Sequence, residues 1–304
     1  MKSLYFTVIL ILMFSLLLMP LFALNGGISA QNTEDYLSVF ITETAEINNV
    51  SAKEYSINVA INNLEKNAHT EAIKAEIIAS FTKALYYKEK NKNLNFDIDD
   101  TTDGYVSIDK IKEKFGAEFD TVYNRFCEAA DAVFGKKILY NNAPILAERH
   151  KASSGVTEDA KNLINGDFPY LVSVESAGDL LYKNHITEKK IDFKKMKSHL
   201  KTQGLTPSES PSEYFKIIKS SVCGNVLKIN VLGREFSGEE IKNIFSLPSA
   251  CFAVCFKDDA FIFTVKGEGS FLGLSRMGAE YMAQNGSNYA QILSWYYPGC
   301  VLTS

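Results

Sequence analysis

Asn62 and Asn63 stand side by side near the polar turn of EYSINVAINNLEKNAHTEAIKAEIIASFTKALYY, the stretch from Glu54 to Tyr87. A carboxyl group at such a place could protonate a glycosidic oxygen. An amide of nearly the same shape can hydrogen-bond a sugar but has no acidic proton to give. Two carboxylates lie close by in the sequence, Glu65 and Glu71. Glu65, two residues past Asn63 on a helix, would point to a different face, so Glu71 is the better spare acid. Read from the residues alone, the two amides serve equally well as surface groups near a helix end.

Other chemistry is thinly represented. The four histidines, His69, His150, His185 and His199, form no ligand-spaced set. No P-loop, dinucleotide-binding fingerprint, HExxH or GxSxG is present. Five cysteines (Cys127, Cys223, Cys251, Cys255, Cys300) are an odd number without metal-ligand spacing. Cys251 and Cys255 fall in the apolar run ACFAVCF, where free cysteine behaves as a small buried hydrophobe. They read as structural residues rather than a disulfide framework, with a single pair left open.

The elements that must position these residues follow from periodicity. YLSVFIT, residues 36–42, is β-rich and opens the folded part. Ser51 with Glu54 three residues on has capping-box spacing before a first helix. Ala72, Ile73, Ile77, Phe81, Ala84 and Leu85 give a second helix one apolar face. NKNLNFDIDDTTDGYV reads as a polar loop, and residues 107–133 as a helix capped by Ser107. Hairpins are predicted about Asn141-Asn142 and Asp258-Asp259. Residues 226–247 read strand, turn, helix, and the end of the chain reads as two helices split at Gly286 before a Pro-Gly turn. Residues 179–225 are polar, with Lys-rich helices, and read as the most weakly ordered stretch outside the N-terminal spacer. The fold class is α+β, with helices and hairpins segregated along the chain.

At 304 residues and 46% hydrophobic content, the chain can bury a sizeable core. A net charge of -4 and a pI near 5.7 leave no basic footprint for nucleic acid. After Met1-Lys2-Ser3, the stretch from Leu4 to Leu24 is almost wholly apolar, matching the roughly 20 residues of a bilayer-spanning helix. It reads as one uncleaved transmembrane anchor, with a removed signal peptide as the alternative. Lys2 on the cytoplasmic side places everything after Asn25 outside the membrane. Residues 1–30 are then anchor and spacer, and 31–304 an extracytoplasmic domain with a polar insertion at about 179–225.

Several blocks, in order, resemble the stage II sporulation protein D family: EYSINVAINNL with EAIKAEIIAS, ILYNNAPILAERHKASSGVTEDA, PYLVSVES, LGREFSGEEIKNIFSL and LSRMGAEYMAQNGSNYAQILSWYYPGCVL. The last is the most specific, through Ser275, Gly278-Ala279, Met282-Ala283, Gly286, Tyr289, Ile292-Leu293 and Tyr296-Tyr297-Pro298-Gly299. The resemblance implies a membrane-anchored protein acting on septal peptidoglycan during engulfment, by lytic transglycosylation of glycan strands stripped of stem peptides. One protein acid protonates the glycosidic oxygen and the sugar's own C6 hydroxyl attacks, unlike the two-carboxylate hydrolase scheme.

Carried over residue by residue, the resemblance puts the family's catalytic Glu eight positions before the Glu that opens its EALKAQ-like helix. Here that helix opens at Glu71, and the acid's place is held by Asn63. Ser270 stands where the family has His, and Arg276-Met277 where it has Gln-Tyr. Phe81 replaces an expected Arg. His150, Ser153, Ser154, Gly155 and Thr157 are retained and, with Ser270, Ser275 and Arg276, are the implied lining of a glycan groove. His150 taken alone reads as a structural histidine, and Tyr296 and Tyr297 as core. Some family members carry a zinc site of Cys and His, but DDTTDGYVSID has neither, so no metal or other cofactor is expected. The implied partners are peptidoglycan glycan strands, stage II sporulation proteins P and M, and the membrane. Three functions remain open: a glycan-binding member with a degenerate site, an active transglycosylase using another carboxylate, and an assembly subunit.

Overall fold

The computed structural model describes residues 35–303. The apolar stretch from Leu4 to Leu24, read as an anchor, lies outside the described residues. Among those described, no helix is long and apolar enough to cross a membrane.

The chain enters through β1 (Tyr36–Ile41), which pairs antiparallel with β2 (Glu46–Ser51). Leu37 and Val39 alternate into the core, as a strand with one buried face requires. Ser51 ends β2 and caps α1 (Ala52–Asn63), its hydroxyl accepting the Glu54 N–H at 3.2 Å. His69 caps α2 (Thr70–Lys90) in the same way through Nδ1. Helix α2 runs through the middle of the largest core, where Ile73 and Ile77 meet Phe126, Leu293, Tyr296 and Tyr297. Tyr296 and Tyr297 are therefore core residues.

The stretch read as a polar loop after α2 contains structure of its own. Ile98 is fully buried in β3 (Ile98–Asp99), which joins β1 in parallel. Asp99 then caps α3 (Asp100–Asp103), and Gly104 at φ +72 ends it. Polar composition hid this segment, because Ile98 finds its partner Val39 far away in sequence, and local periodicity carries no such information. The helix expected over 107–133 is broken at Gly116, where φ is +51, into α4 (Ile108–Phe115) and α5 (Phe119–Asp131). Glycine takes that positive φ without steric cost.

The hairpin at Asn141-Asn142 joins β4 (Lys137–Tyr140) to β5 (Ala143–Pro144), with both asparagines at positive φ as a type I′ turn requires. Strand β6 (Arg149–His150) follows. The polar stretch 179–225 is built into the fold. It supplies β7 (Ile186–Asp192), α6 (Phe193–Thr202) and β8 (Phe215–Ser220). ITEKKID, Lys-rich, is a strand and not a helix, because its backbone pairs antiparallel with residues 260–266, leaving every second residue facing solvent. β7 pairs with β12 (Ala260–Lys266), itself paired with β11 (Phe252–Lys257). β8 pairs with β9 (Val226–Val231), which carries β10 (Arg234–Phe236), and α7 (Gly238–Ile244) follows behind a capping box of Ser237 and Glu240. These elements enclose a second core that includes Met196, Tyr214, Phe245, Phe261 and Phe263.

The chain closes with β13 (Leu274–Ser275), parallel to β6, then α8 (Arg276–Gln284), α9 (Tyr289–Tyr296) and β14 (Val301–Thr303) on β4. All five cysteines are free. Cys251 is buried as expected, but Cys255 is exposed, because it lies on the solvent-facing side of β11.

Candidate functional site

Asn63 is the last residue of α1, and Leu64 leaves the helix in an extended conformation. The Asn63 Nδ2 donates to the carbonyls of Val59 at 2.9 Å and Asp103 at 3.0 Å. The neighbouring Asn62 Nδ2 donates to the Gly104 carbonyl at 3.0 Å. The two amides thus clamp the left-handed end of α3 against the end of α1. With both amide hydrogens of Asn63 bonded to backbone, a ligand meets only its oxygen, an acceptor.

Beneath this clamp lies a chain of alternating charges: Arg276, Glu76, Arg149, Asp103, Lys83 and Glu148. Arg276 Nε and Arg149 Nε both reach Glu76 Oε1, at 3.1 and 3.0 Å. Arg149 also pairs with Asp103, whose carboxylate accepts the Ser80 hydroxyl at 3.1 Å. Lys83 lies 3.5 Å from Asp103 and 3.0 Å from Glu148. Equal numbers of cations and carboxylates, in alternation, let the group sit largely out of water. Burial alone would raise the Asp103 pKa, yet Arg149 and Lys83 hold it below the ordinary carboxylate range. One oxygen, Glu76 Oε2, is buried without a partner.

A second cluster forms around Asp179, which is fully buried. It accepts the Ser153 N–H at 2.7 Å and the hydroxyls of both Ser153 and Ser275. Ser275 in turn caps α8 by accepting the Gly278 N–H at 3.1 Å. The Ser154 hydroxyl donates to the Cys223 carbonyl, and the Thr157 hydroxyl bridges the backbone of Val172 and Val174. Gly155 at φ +108 packs against Leu180. Ser270 is partly exposed, its hydroxyl accepting the Leu272 N–H at 3.3 Å.

His150 is buried, with Nδ1 at 3.0 Å from the Leu272 carbonyl. A carbonyl only accepts, so Nδ1 carries the hydrogen, and the buried Nε2 is left as an unpartnered acceptor. Burial pushes the His150 pKa down to about 4, against the opposing pull of Asp179. Nearby, Glu158 accepts from Ser221, Cys223 and Asn225 on one oxygen and from Asn162 and the Asp159 N–H on the other.

Among the residues singled out from the sequence, the fold gathers His150, Ser153 and Ser275 about Asp179, and links Asn63 to Arg276 through the charge chain. Asn63, Ser154, Gly155, Ser270 and Arg276 are partly exposed, whereas His150, Ser153, Thr157 and Ser275 are buried, the three hydroxyls among them bonded internally. Glu71 is bound to Lys74 at 2.7 Å and accepts the Tyr289 N–H at 2.9 Å. Burial works against ionisation there, but those bonds lower its pKa, the reverse of what a general acid needs. Glu65 is not on a helix, since α1 ends at Asn63. It turns toward Lys151, 3.4 Å away.

Sequence reading missed Asp179, Glu76, Arg149 and the exposed pair of Tyr182 and Glu268, whose hydroxyl–carboxylate bond is 2.7 Å. A signal existed for one of them. Glu76, Ser80 and Lys83 recur at helical spacing within an otherwise apolar helix, a polar stripe that demands buried partners. Among the described residues, no group of three or more His, Cys, Asp or Glu side chains could hold a metal ion.

The fold is α+β, and residues 41–140, which include Asn63, Glu76 and Asp103, match the SpoIID family model, described as stage II sporulation protein. That match spans about a third of the chain, and similarity to curated stage II sporulation proteins D extends over most of it. It is 26% identical to stage II sporulation protein D of Bacillus subtilis (strain 168) over 269 residues, covering 86% of this chain and 77% of that protein. Its likeness to the stage II sporulation protein D of Bacillus amyloliquefaciens is also 26%, over 268 residues, covering 86% of this chain and 76% of the relative. The amidase enhancer of Bacillus subtilis is 25% identical over 231 residues, which cover 58% of this chain and 32% of that protein.

Proposed function

We propose that this chain is a membrane-anchored, extracytoplasmic protein of the sporulation septum that binds peptidoglycan glycan strands without cutting them. The observation that carries this reading is the Asn63 amide, both of whose hydrogens are bonded to backbone carbonyls. Lytic transglycosylation needs a carboxyl that holds a proton until the glycosidic oxygen takes it. An amide in that place, already bonded as a structural clamp, can orient a sugar through its oxygen but cannot supply the proton. Stage II sporulation proteins P and M are the partners this role would hold at the septum. The name of one relative, amidase enhancer, is consistent with action through a second protein.

The test is to incubate residues 31–304 with denuded glycan strands and to assay both co-sedimentation and anhydro-ended products. Binding without products is expected. Anhydro ends from the unmodified chain would overturn the reading.

The rival reading is an active transglycosylase that uses another carboxylate as its acid, and Glu268 is the exposed carboxylate to test. Glu268, exposed beside the loop that carries Lys151, receives the Tyr182 hydroxyl at 2.7 Å. If anhydro products appear and vanish in Glu268→Gln, that carboxyl is the acid. If the chain neither binds nor cuts, it is an assembly subunit.

A further inference from the structure

A cavity of about 620 Å³ opens between the C-terminal end of α2, the loop after it and the β4–β5 hairpin. Leu85, Leu139 and Pro144 give it apolar walls, and Lys88, Lys92 and Lys137 stand around it. Among the described residues none of these three lysines is ion-paired, although Lys83 on the same helix lies 3.0 Å from Glu148. Two carboxylates share the lining. Asp97 accepts the Ser38 N–H at 2.9 Å, and Glu89 is exposed at the rim. Lys88 donates to the Tyr36 carbonyl at 2.7 Å, which fixes the start of β1 beside the cavity. Leu94, 55% exposed, adds an apolar lip.

Lysines without a carboxylate partner over an apolar floor suit a ligand that is anionic at one end and apolar at the other. The position along the chain indicates its source. Residues 25–35 separate Leu24 from Tyr36 and span at most roughly 40 Å when fully extended. A bilayer-held N-terminus therefore keeps this face within reach of the lipid surface. We propose that the cavity of Lys88, Lys92 and Lys137 docks the phosphate headgroup of an anionic phospholipid, orienting the domain on its own membrane. The proposal rests on the tethered reading given above. Attraction of a lysine to an anionic surface amounts to roughly fivefold in binding per residue, within a Debye length of about 8 Å.

The test uses the full chain reconstituted into vesicles of phosphatidylcholine, with or without phosphatidylglycerol. Brief treatment with an amine-acetylating reagent is followed by mass spectrometry, with exposed Lys257 as the internal reference. Several-fold lower labelling of Lys88, Lys92 and Lys137 is expected with phosphatidylglycerol, and Lys92→Glu with Lys137→Glu should abolish the protection of Lys88. Equal labelling in both vesicles overturns the proposal. Equal protection by inorganic phosphate with phosphatidylcholine vesicles overturns it in favour of a free-phosphate site. Recovery with phosphatidylcholine vesicles reports the tether separately. A chain that leaves those vesicles but floats with phosphatidylglycerol keeps the headgroup site without the tether, and one that leaves both overturns the site as well.

Discussion

The Asn63 amide and the Asp103 carbonyl are joined by a 3.0 Å hydrogen bond that ties the end of α1 to the end of α3. Through its side chain, the same Asp103 holds Arg149, so one residue connects the half-exposed clamp to the buried charge chain.

Asn63→Asp keeps the shape but turns a carboxylate toward the Val59 and Asp103 carbonyls. The expected cost at neutral pH is about 1–3 kcal/mol, that of a lost donor facing buried acceptors. Such a carboxyl has its folded pKa raised, because only the protonated form can donate to a carbonyl. The deficit should thus be small below the unfolded value, about 4, and grow as pH rises through the raised folded value. Urea unfolding at pH 4 and pH 7 checks this, and a deficit no larger at pH 7 would contradict the clamp geometry.

Arg149→Met removes the cation shared by Glu76 and Asp103, leaving both carboxylates in a dry setting. Breaking such a buried pair from one side costs about 3–5 kcal/mol. Arg149→Lys should recover only part, since an ammonium lacks the planar fork that serves two carboxylates at once. Denaturant midpoints at unchanged slope measure both variants.

His150 makes stability depend on pH in a definite direction. Its folded pKa is depressed from 6.5 to about 4, chiefly by burial. Between those values the unfolded chain binds the extra proton, so stability is full above pH 6.5 and falls as pH drops toward 4. The loss attributable to this residue is about 3 kcal/mol by linkage. His150→Asn, whose amide can still donate to the Leu272 carbonyl, should flatten the profile in that window. Asp103 and Glu158, both with lowered folded pKa values, act in the same sense, their stabilisation lost as pH falls further. An unchanged slope in His150→Asn would show that other groups carry the dependence.

The cysteines should separate by reactivity. Burial pushes the Cys223 thiol up to about 12 and the Cys251 thiol to about 11, whereas Cys255 is exposed. Native-state alkylation near neutral pH is expected to modify Cys255 first and to reach Cys223 and Cys251 only on unfolding. Peptide mapping after a short iodoacetamide pulse reads the order directly, and early modification of Cys223 would contradict it.

Much of the local structure was legible. The caps Ser51 and Ser107, the positive-φ hairpin asparagines and the break at Gly286 are decided by neighbouring residues and appear where the sequence puts them. Within residues 179–225 the Lys-rich helix α6 was legible but the strands were not, because β7 and β8 are strands only by virtue of partners in β12 and β9. Cys255 was misread because an apolar run does not reveal which face of its strand is covered.

The sequence by itself determined the α+β class, the resemblance to the stage II sporulation protein D family, and the amide at position 63. These depend on residue identity and short spacings, which the chain carries with it. Tertiary structure decided what that amide does, by bringing the Asp103 carbonyl to it from 40 residues away. It also decided that Ser153 and Ser275 bond to Asp179 rather than face an open groove, and that Glu71 is held ionised. Hydrogen bonds and charge pairs between distant segments form only once packing has excluded water, and no local pattern in the sequence specifies which partners will then meet.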